Sequence, residues 1–116
     1  MTLFEQLTNL INACDTEERE LIEQMIRCAA DYVKAVTEER LARINLAGLE
    51  DSAKRENIVT KDETRSHCHN AFIDATNIVN RLCEAHSLPL IYTGEKHRYH
   101  YGAFAGQLVD AIFENR

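Results

Sequence analysis

Apolar residues recur along this chain every three or four positions, the spacing that places them on one face of an α-helix. This spacing predicts a first helix over about residues 3–14, which Thr2 and Glu5 would begin as a capping box. A second helix is predicted over about residues 16–47, with Asp15 as its N-cap. The two helices therefore follow each other with almost no loop between them.

The apolar stripe of the second helix does not continue to its end. It runs from Leu21 to Val36, and its projection then meets charged residues, the first of which is Glu39. The sequence predicts either a bend near Thr37 or a second half that leaves the core. A helix of this length would measure about 45 Å at 1.5 Å per residue, more than a small bundle needs. We expect the overhang to pack on a second copy, which makes the protein a homodimer.

The second half of the chain predicts two more helices after a polar connection. Residues 48–59 are polar and of mixed charge, and we interpret them as that connection. Thr60 and Glu63 form another capping box, which predicts a third helix over about 61–86 that ends before a proline. A last helix is predicted over about 99–114.

Composition agrees with a helical architecture. The chain has 116 residues, of which 45% are hydrophobic and 28% charged, while one proline and four glycines leave little material for the turns of a many-stranded fold. Helices with short connections favour antiparallel neighbours. We predict an all-α fold, an antiparallel four-helix bundle with one long second helix, in which residues 1–116 form a single helical domain.

Net charge narrows the classes of partner. The formal net charge of -6 at pH 7 argues against a nucleic-acid binder, because binding phosphates by bulk charge needs a basic face, and it disfavours attraction to an anionic membrane for the same reason. No apolar run approaches the roughly 20 residues that span a bilayer, and the N-terminus shows no signal peptide. We therefore expect a cytoplasmic protein.

The cysteines are predicted to be small buried hydrophobic residues in a reducing compartment. None forms a C-x-x-C pair, the short spacing at which structural zinc sites cluster their thiolates. A metal or disulfide role is the alternative, but we expect no metal and no cofactor. The four positions are Cys14, Cys28, Cys68 and Cys83.

A short basic and aromatic run precedes the last predicted helix in this otherwise acidic chain. Guanidinium and imidazole groups beside a small-residue helix start suit an anion or a carboxylate ligand. Alternatives are a solvated loop, or a metal bound through the two histidines of the run. The candidate ligand-binding or anion-binding residues are Lys96, His97, Arg98, His100, Tyr101 and Gly102.

A second candidate surface would bind a protein partner or the second copy. Its residues lie in two places, the charged and apolar end of the second helix and the polar side of the third, where an isoleucine away from the main apolar face would touch another helix of the bundle or a partner. An exposed helix face with a stray apolar residue is the alternative. The candidate interface residues are Arg40, Leu41, Arg43, Ile44, His69 and Ile73.

The pattern of acidic residues on the second and third helices resembles that of the all-α nucleoside triphosphate pyrophosphohydrolases. In that family an E-x-x-E helix and an E-x-x-D helix together hold magnesium. Glu20 and Glu23 match the first motif, and Asp74 with Asn77 lies opposite, but Ala71 occupies the place of one carboxylate. The resemblance implies a divalent-metal-dependent nucleotide hydrolase. Our leading hypothesis is instead a module that binds a protein or a small anionic ligand without catalysis, as in many small helical bacterial proteins.

Two further features are predicted to be structural. Gly102 and Gly106 form a G-x-x-x-G pattern, which in a helix of a soluble protein is typical of close packing against a neighbour. His86 lies on the apolar face near the end of the third helix, where we expect a buried and hydrogen-bonded imidazole.

Overall fold

The computed structural model describes residues 2–45, 52–94 and 101–114. Within these ranges it contains no strand and four α-helices, which are α1 (Leu3–Ala13), α2 (Thr16–Asn45), α3 (Ser52–Ala85) and α4 (Tyr101–Glu114). The predicted all-α bundle is confirmed. It has two long helices, since α3 extends over 34 residues and α2 over 30. Among the helices so described, none combines the length and apolar character that crossing a membrane requires.

The starts of α1 and α2 follow the predicted capping residues. The Thr2 hydroxyl accepts a hydrogen bond from the backbone N–H of Glu5 at 3.1 Å. Asp15 and Glu18 form a reciprocal capping box, in which each side chain accepts from the other residue's N–H, at 2.8 Å and 3.0 Å. These bonds satisfy N–H groups that have no acceptor inside the helix.

The start predicted for the third helix is wrong. The expected connection over 48–59 is helical from Ser52 onward. The Thr60 hydroxyl does not cap a helix but donates to the Glu56 carbonyl one turn earlier, at 3.0 Å, as threonine does inside a helix. The sequence of this part is polar and of mixed charge, so it lacks the amphipathic signal of a core helix.

The second half of α2 leaves the core without interrupting the helix. The Thr37 hydroxyl donates to the Val33 carbonyl at 2.9 Å, and helical structure continues to Asn45. Leu41 and Ile44 are 52% and 69% exposed. The sequence left open either a bend near Thr37 or a second half that leaves the core. The structure shows the second of these.

The core forms where α1 and α4 cover the α2–α3 pair. α2 packs most extensively against α3, and α4 packs against both and against α1. Aromatic rings dominate this region, with Phe72 and Phe104 fully buried and their centroids 5.9 Å apart. The other large fully buried hydrophobic side chains are Leu10, Ile22, Met25, Val79, Cys83 and Leu108.

A polar side chain on α3 anchors the segment that leads toward α4. The Asn80 carboxamide accepts from the backbone N–H groups of Ile91 and Tyr92, at 3.1 Å and 3.2 Å, and donates to the Tyr92 carbonyl at 2.9 Å. Ile91 is buried as a result. The loop is therefore docked on the core, and Asn80 holds it there.

We expect Asn80→Ala to lower the free energy of unfolding by about 2 kcal/mol, because it removes three hydrogen bonds and leaves backbone groups of Ile91 and Tyr92 without partners. Urea unfolding followed by circular dichroism measures the change. Asn77→Ala is the matched control, since Asn77 is exposed on the same helix, and its effect should stay within about 0.5 kcal/mol. Equal effects of the two substitutions would contradict the anchoring role.

Candidate functional site

A cleft of about 610 Å³ opens where α2, α3 and α4 meet, and we refer to it as the α2–α4 cleft. Its volume lies within the range of small-molecule sites in proteins. The lining residues are Tyr32, Val33, Val36, Thr37, Glu39 and Arg40 from α2, Arg65 from α3, and Gly102, Ala103 and Gly106 from α4.

Small residues on α4 keep this cleft open. A Cβ atom added at Gly106 would meet no atom within 4 Å outside the local helix backbone. The close packing predicted from the G-x-x-x-G pattern is therefore wrong at Gly106. The residue faces an open space in which a side chain or a ligand fits.

An ion-pair network closes the α3 side of the cleft. Glu39 accepts hydrogen bonds from Arg43 at 3.1 Å and from Arg65 at 2.7 Å, and Arg65 also donates to Asp62 at 3.1 Å. The bond to Asp62, together with that to Glu39, raises the pKa of Arg65, so the guanidinium stays charged. Two carboxylates are thus balanced by two guanidinium groups, and Arg65 is held in place across α2 and α3.

Arg40 adds a positive charge that this network does not balance. Within the part of the chain that the structure describes, its exposed guanidinium has no carboxylate partner. Gly102 and Ala103 line the same cleft from the N-terminal part of α4, the end toward which the helix dipole is positive. The cleft therefore combines one uncompensated cation with the positive end of a helix.

Behind the cleft, a hydrogen-bonded aromatic cluster joins three helices. The Tyr32 hydroxyl lies 2.8 Å from Nδ1 of His69, and the Tyr101 ring meets the His69 ring edge-on with centroids 6.2 Å apart. Tyr92 packs on Tyr101 at 4.4 Å, and burial raises the pKa of the Tyr101 hydroxyl. This cluster fixes the first turn of α4 against α2 and α3.

The predicted anion site is described only in part. Lys96, His97, Arg98 and His100 lie outside the described residues. Of the remaining two, Tyr101 belongs to the aromatic cluster and Gly102 lines the cleft. The structure thus brings one residue of this set next to Arg40, which the sequence had suggested for a different surface.

Sequence analysis missed Glu39 and Arg65 as parts of one site. A signal for Glu39 and Arg40 was present, because the projected apolar stripe of α2 continues onto charged residues there. Charged residues on the inward face of a helix indicate a place where the core ends. Nothing in the spacing identified Arg65, which reaches the cleft from another helix.

The predicted interface residues do not form one surface. Leu41 and Ile44 are exposed on the part of α2 that extends beyond the core, and Arg43 is bonded to Glu39 next to them. His69 contacts Tyr32 instead. The two other predicted interface residues are Arg40, which lines the cleft, and Ile73, which is half-buried.

The residues that resemble a pyrophosphohydrolase centre all have exposed side chains. None of them belongs to a convergent group of metal-ligating atoms among the described residues. They therefore do not surround an enclosed magnesium site in this part of the structure. These residues are Glu20, Glu23, Asp74 and Asn77.

Comparison with known proteins indicates a family but no activity. A family model described as "Protein of unknown function (DUF3232)" matches residues 1–116. The search of curated proteins finds no significant match, and the search of solved structures finds none either.

We expect Gly106→Ala to raise the free energy of unfolding by about 0.5–1 kcal/mol, because alanine favours the helix over glycine and the cleft has room for the methyl group. Urea unfolding measures the change. Gln107→Ala, at an exposed position of the same helix, should change stability by a few tenths of a kcal/mol at most. A destabilised Gly106→Ala variant would instead support close packing at this position.

Proposed function

The chain belongs to the DUF3232 family, whose function is unknown, and we propose that it is a non-catalytic binding module that holds a small anionic ligand in the α2–α4 cleft. The observation that carries this proposal is the exposed Arg40 guanidinium, which lines the same cleft as the first turn of α4. In a chain with a net charge of -6, this positive charge favours an anion as the ligand of the cleft.

The lining residues narrow the chemistry of the ligand. A guanidinium group is planar and presents paired donors that match a carboxylate or a phosphate. Val33 and Val36 provide an apolar wall, so we propose a ligand with an anionic group and an apolar part. We also propose that Lys96, His97, Arg98 and His100 contribute to this site, because they immediately precede α4 in the sequence.

Arg40→Ala tests the site. We expect it to weaken binding roughly 10- to 150-fold, since a charge-assisted hydrogen bond contributes roughly 1.5–3 kcal/mol. Calorimetric titration with inorganic phosphate and with a panel of small aryl and alkyl carboxylates measures the affinity. Arg81→Ala is the matched control, because Arg81 is an exposed arginine on α3 outside the cleft, and it should bind as the wild type does.

The same titration tests whether the basic residues before α4 contribute to binding in the cleft. A turnover assay tests whether the protein catalyses a reaction. Arg98→Ala should also weaken binding if the loop contributes. An unchanged affinity in Arg40→Ala would overturn the cleft as the binding site. Magnesium-dependent release of pyrophosphate from a nucleotide panel, lost in Asp74→Ala, would overturn the non-catalytic function and support the nucleotide hydrolase.

We further propose that the protein is a homodimer and that the second copy packs on three distal apolar residues, Leu41, Ile44 and Val59. They are 52%, 69% and 56% exposed and lie on the parts of α2 and α3 beyond the shared core. A pair of helices alone leaves apolar side chains exposed, and two such pairs related by a two-fold axis complete a four-helix section.

Sedimentation at micromolar concentration tests the dimer. We expect the wild type to sediment as a dimer and Ile44→Glu to sediment as a folded monomer, because it places a charge in an apolar contact. Leu21→Glu is the control, since Leu21 is an exposed apolar residue nearer the start of the same helix. A wild type that stays monomeric, or a dimer unaffected by Ile44→Glu, would contradict this interface.

The cysteines support a cytoplasmic location, which we propose for this protein. All four are free thiols; Cys14, Cys28 and Cys83 are buried and Cys68 is half-buried. Free thiols without disulfides are typical of a reducing compartment.

A further inference from the structure

Three side chains with different metal-binding atoms converge where α1, α2 and α3 meet. They are Cys14 at the end of α1, Glu18 in the first turn of α2, and His86 just after α3. The thiol sulfur, a carboxylate oxygen and an imidazole nitrogen all lie within 4.8 Å of one another. They form the one such group within residues 2–45, 52–94 and 101–114.

The capping box of α2 orients the carboxylate of this group. One oxygen of Glu18 accepts from the Asp15 N–H at 3.0 Å, and the other lies 2.9 Å from Nε2 of His86. The Asp15 bond, and then the His86 bond, lower the pKa of Glu18, so the carboxylate is ionised at neutral pH. An outer hydrogen bond that fixes a ligating carboxylate is a common feature of metal sites.

His86 is more exposed than the sequence predicts, and this exposure gives the group access to water. It is hydrogen-bonded as expected, but its side chain is 26% exposed, and that of Glu18 is 25% exposed. Cys14 is buried at 5% exposure, and burial raises the pKa of its thiol. The group thus has a buried sulfur and a side that is open to water.

We propose that Cys14, Glu18 and His86 bind a zinc ion, with water as the fourth ligand. Sulfur, nitrogen and oxygen together are a donor set that zinc accepts. Zinc bonds of about 2.0–2.3 Å in a tetrahedron place the ligand atoms about 3.2–3.8 Å apart. The observed group matches this after shifts of about 1 Å. The metal replaces the proton between Nε2 of His86 and Glu18, and the neutral imidazole that binds it carries its single proton on Nδ1. The Cys14 thiol releases its proton to solvent when the sulfur binds the ion.

This zinc site is independent of the ligand proposed for the α2–α4 cleft. Glu18 precedes Tyr32, the first lining residue of the cleft, by 14 positions on α2, which corresponds to about 21 Å along a helix. Zinc at this junction would connect the ends of three helices. Its binding to the folded state alone would stabilise the fold by mass action.

Metal titration of the purified, chelator-treated protein under reducing conditions tests the site. We expect Zn²⁺ to bind with a stoichiometry of one per chain, and Co²⁺ to give the near-ultraviolet charge-transfer absorption of a thiolate ligand. Cys14→Ser should remove this absorption, and both Cys14→Ser and His86→Gln should weaken Zn²⁺ binding by about tenfold or more. X-ray absorption of the zinc-loaded wild type should show one sulfur beside nitrogen and oxygen ligands, a result that depends on no variant.

The chain offers matched controls for both variants. Cys68→Ser and His67→Gln alter a half-buried thiol and an exposed imidazole elsewhere on α3, and each should retain wild-type zinc affinity. The proposal is overturned if Zn²⁺ does not bind, if the zinc shell contains no sulfur, or if folded Cys14→Ser binds Zn²⁺ as tightly as the wild type. Loss of the cobalt absorption in Cys68→Ser would also overturn it.

Discussion

The antiparallel contact between α2 and α3 is the constraint on which the rest of this structure depends. Glu18 meets His86 near the start of α2, and Glu39 meets Arg65 much farther along it, so the two helices stay in register over many turns. The 11 residues of α1 and the 14 of α4 are too short to cover this length. Along its 54 Å axis the described part of the molecule therefore changes from a packed bundle around Phe72 to a segment that α1 and α4 do not cover.

The cleft lies at this change. In the N-terminal part of α4, small residues replace the large side chains that fill the core, and α2 contributes Glu39 and Arg40 to the cleft there. Glu39 has only 13% of its side chain exposed, and a carboxylate removed from water in this way needs charged partners. Arg43 and Arg65 provide them. The ion pairs therefore compensate the half-buried Glu39 carboxylate at the place where the core ends. Arg40 takes no part in these ion pairs.

The sequence predicted the helices that pack in the core, but it did not predict the helical structure that extends beyond the core. Apolar periodicity located α1, α2 and α4 because each buries a continuous stripe. It did not predict the helix at Ser52–Val59, because the polar sequence there shows no apolar stripe. Apolar periodicity also could not predict which side chains of different helices contact each other. Glu18 and His86 are 68 positions apart, and no spacing rule relates Arg65 to Gly102, so neither the zinc group nor the cleft follows from linear pattern.

A close-packed core explains why both candidate sites lie at its borders. Protein interiors of this size leave few voids that could hold a ligand, and buried polar groups without partners are costly. The interior here is filled by rings such as Phe72 and Phe104, so the chemistry-bearing side chains collect at the borders of the core. The proposed zinc site uses the end of α1, the start of α2 and the end of α3, and the cleft uses the start of α4. In the first of these sites the capping box of α2 holds Glu18 in position, whereas in the cleft Glu39 and Arg65 hold each other through their ion pair.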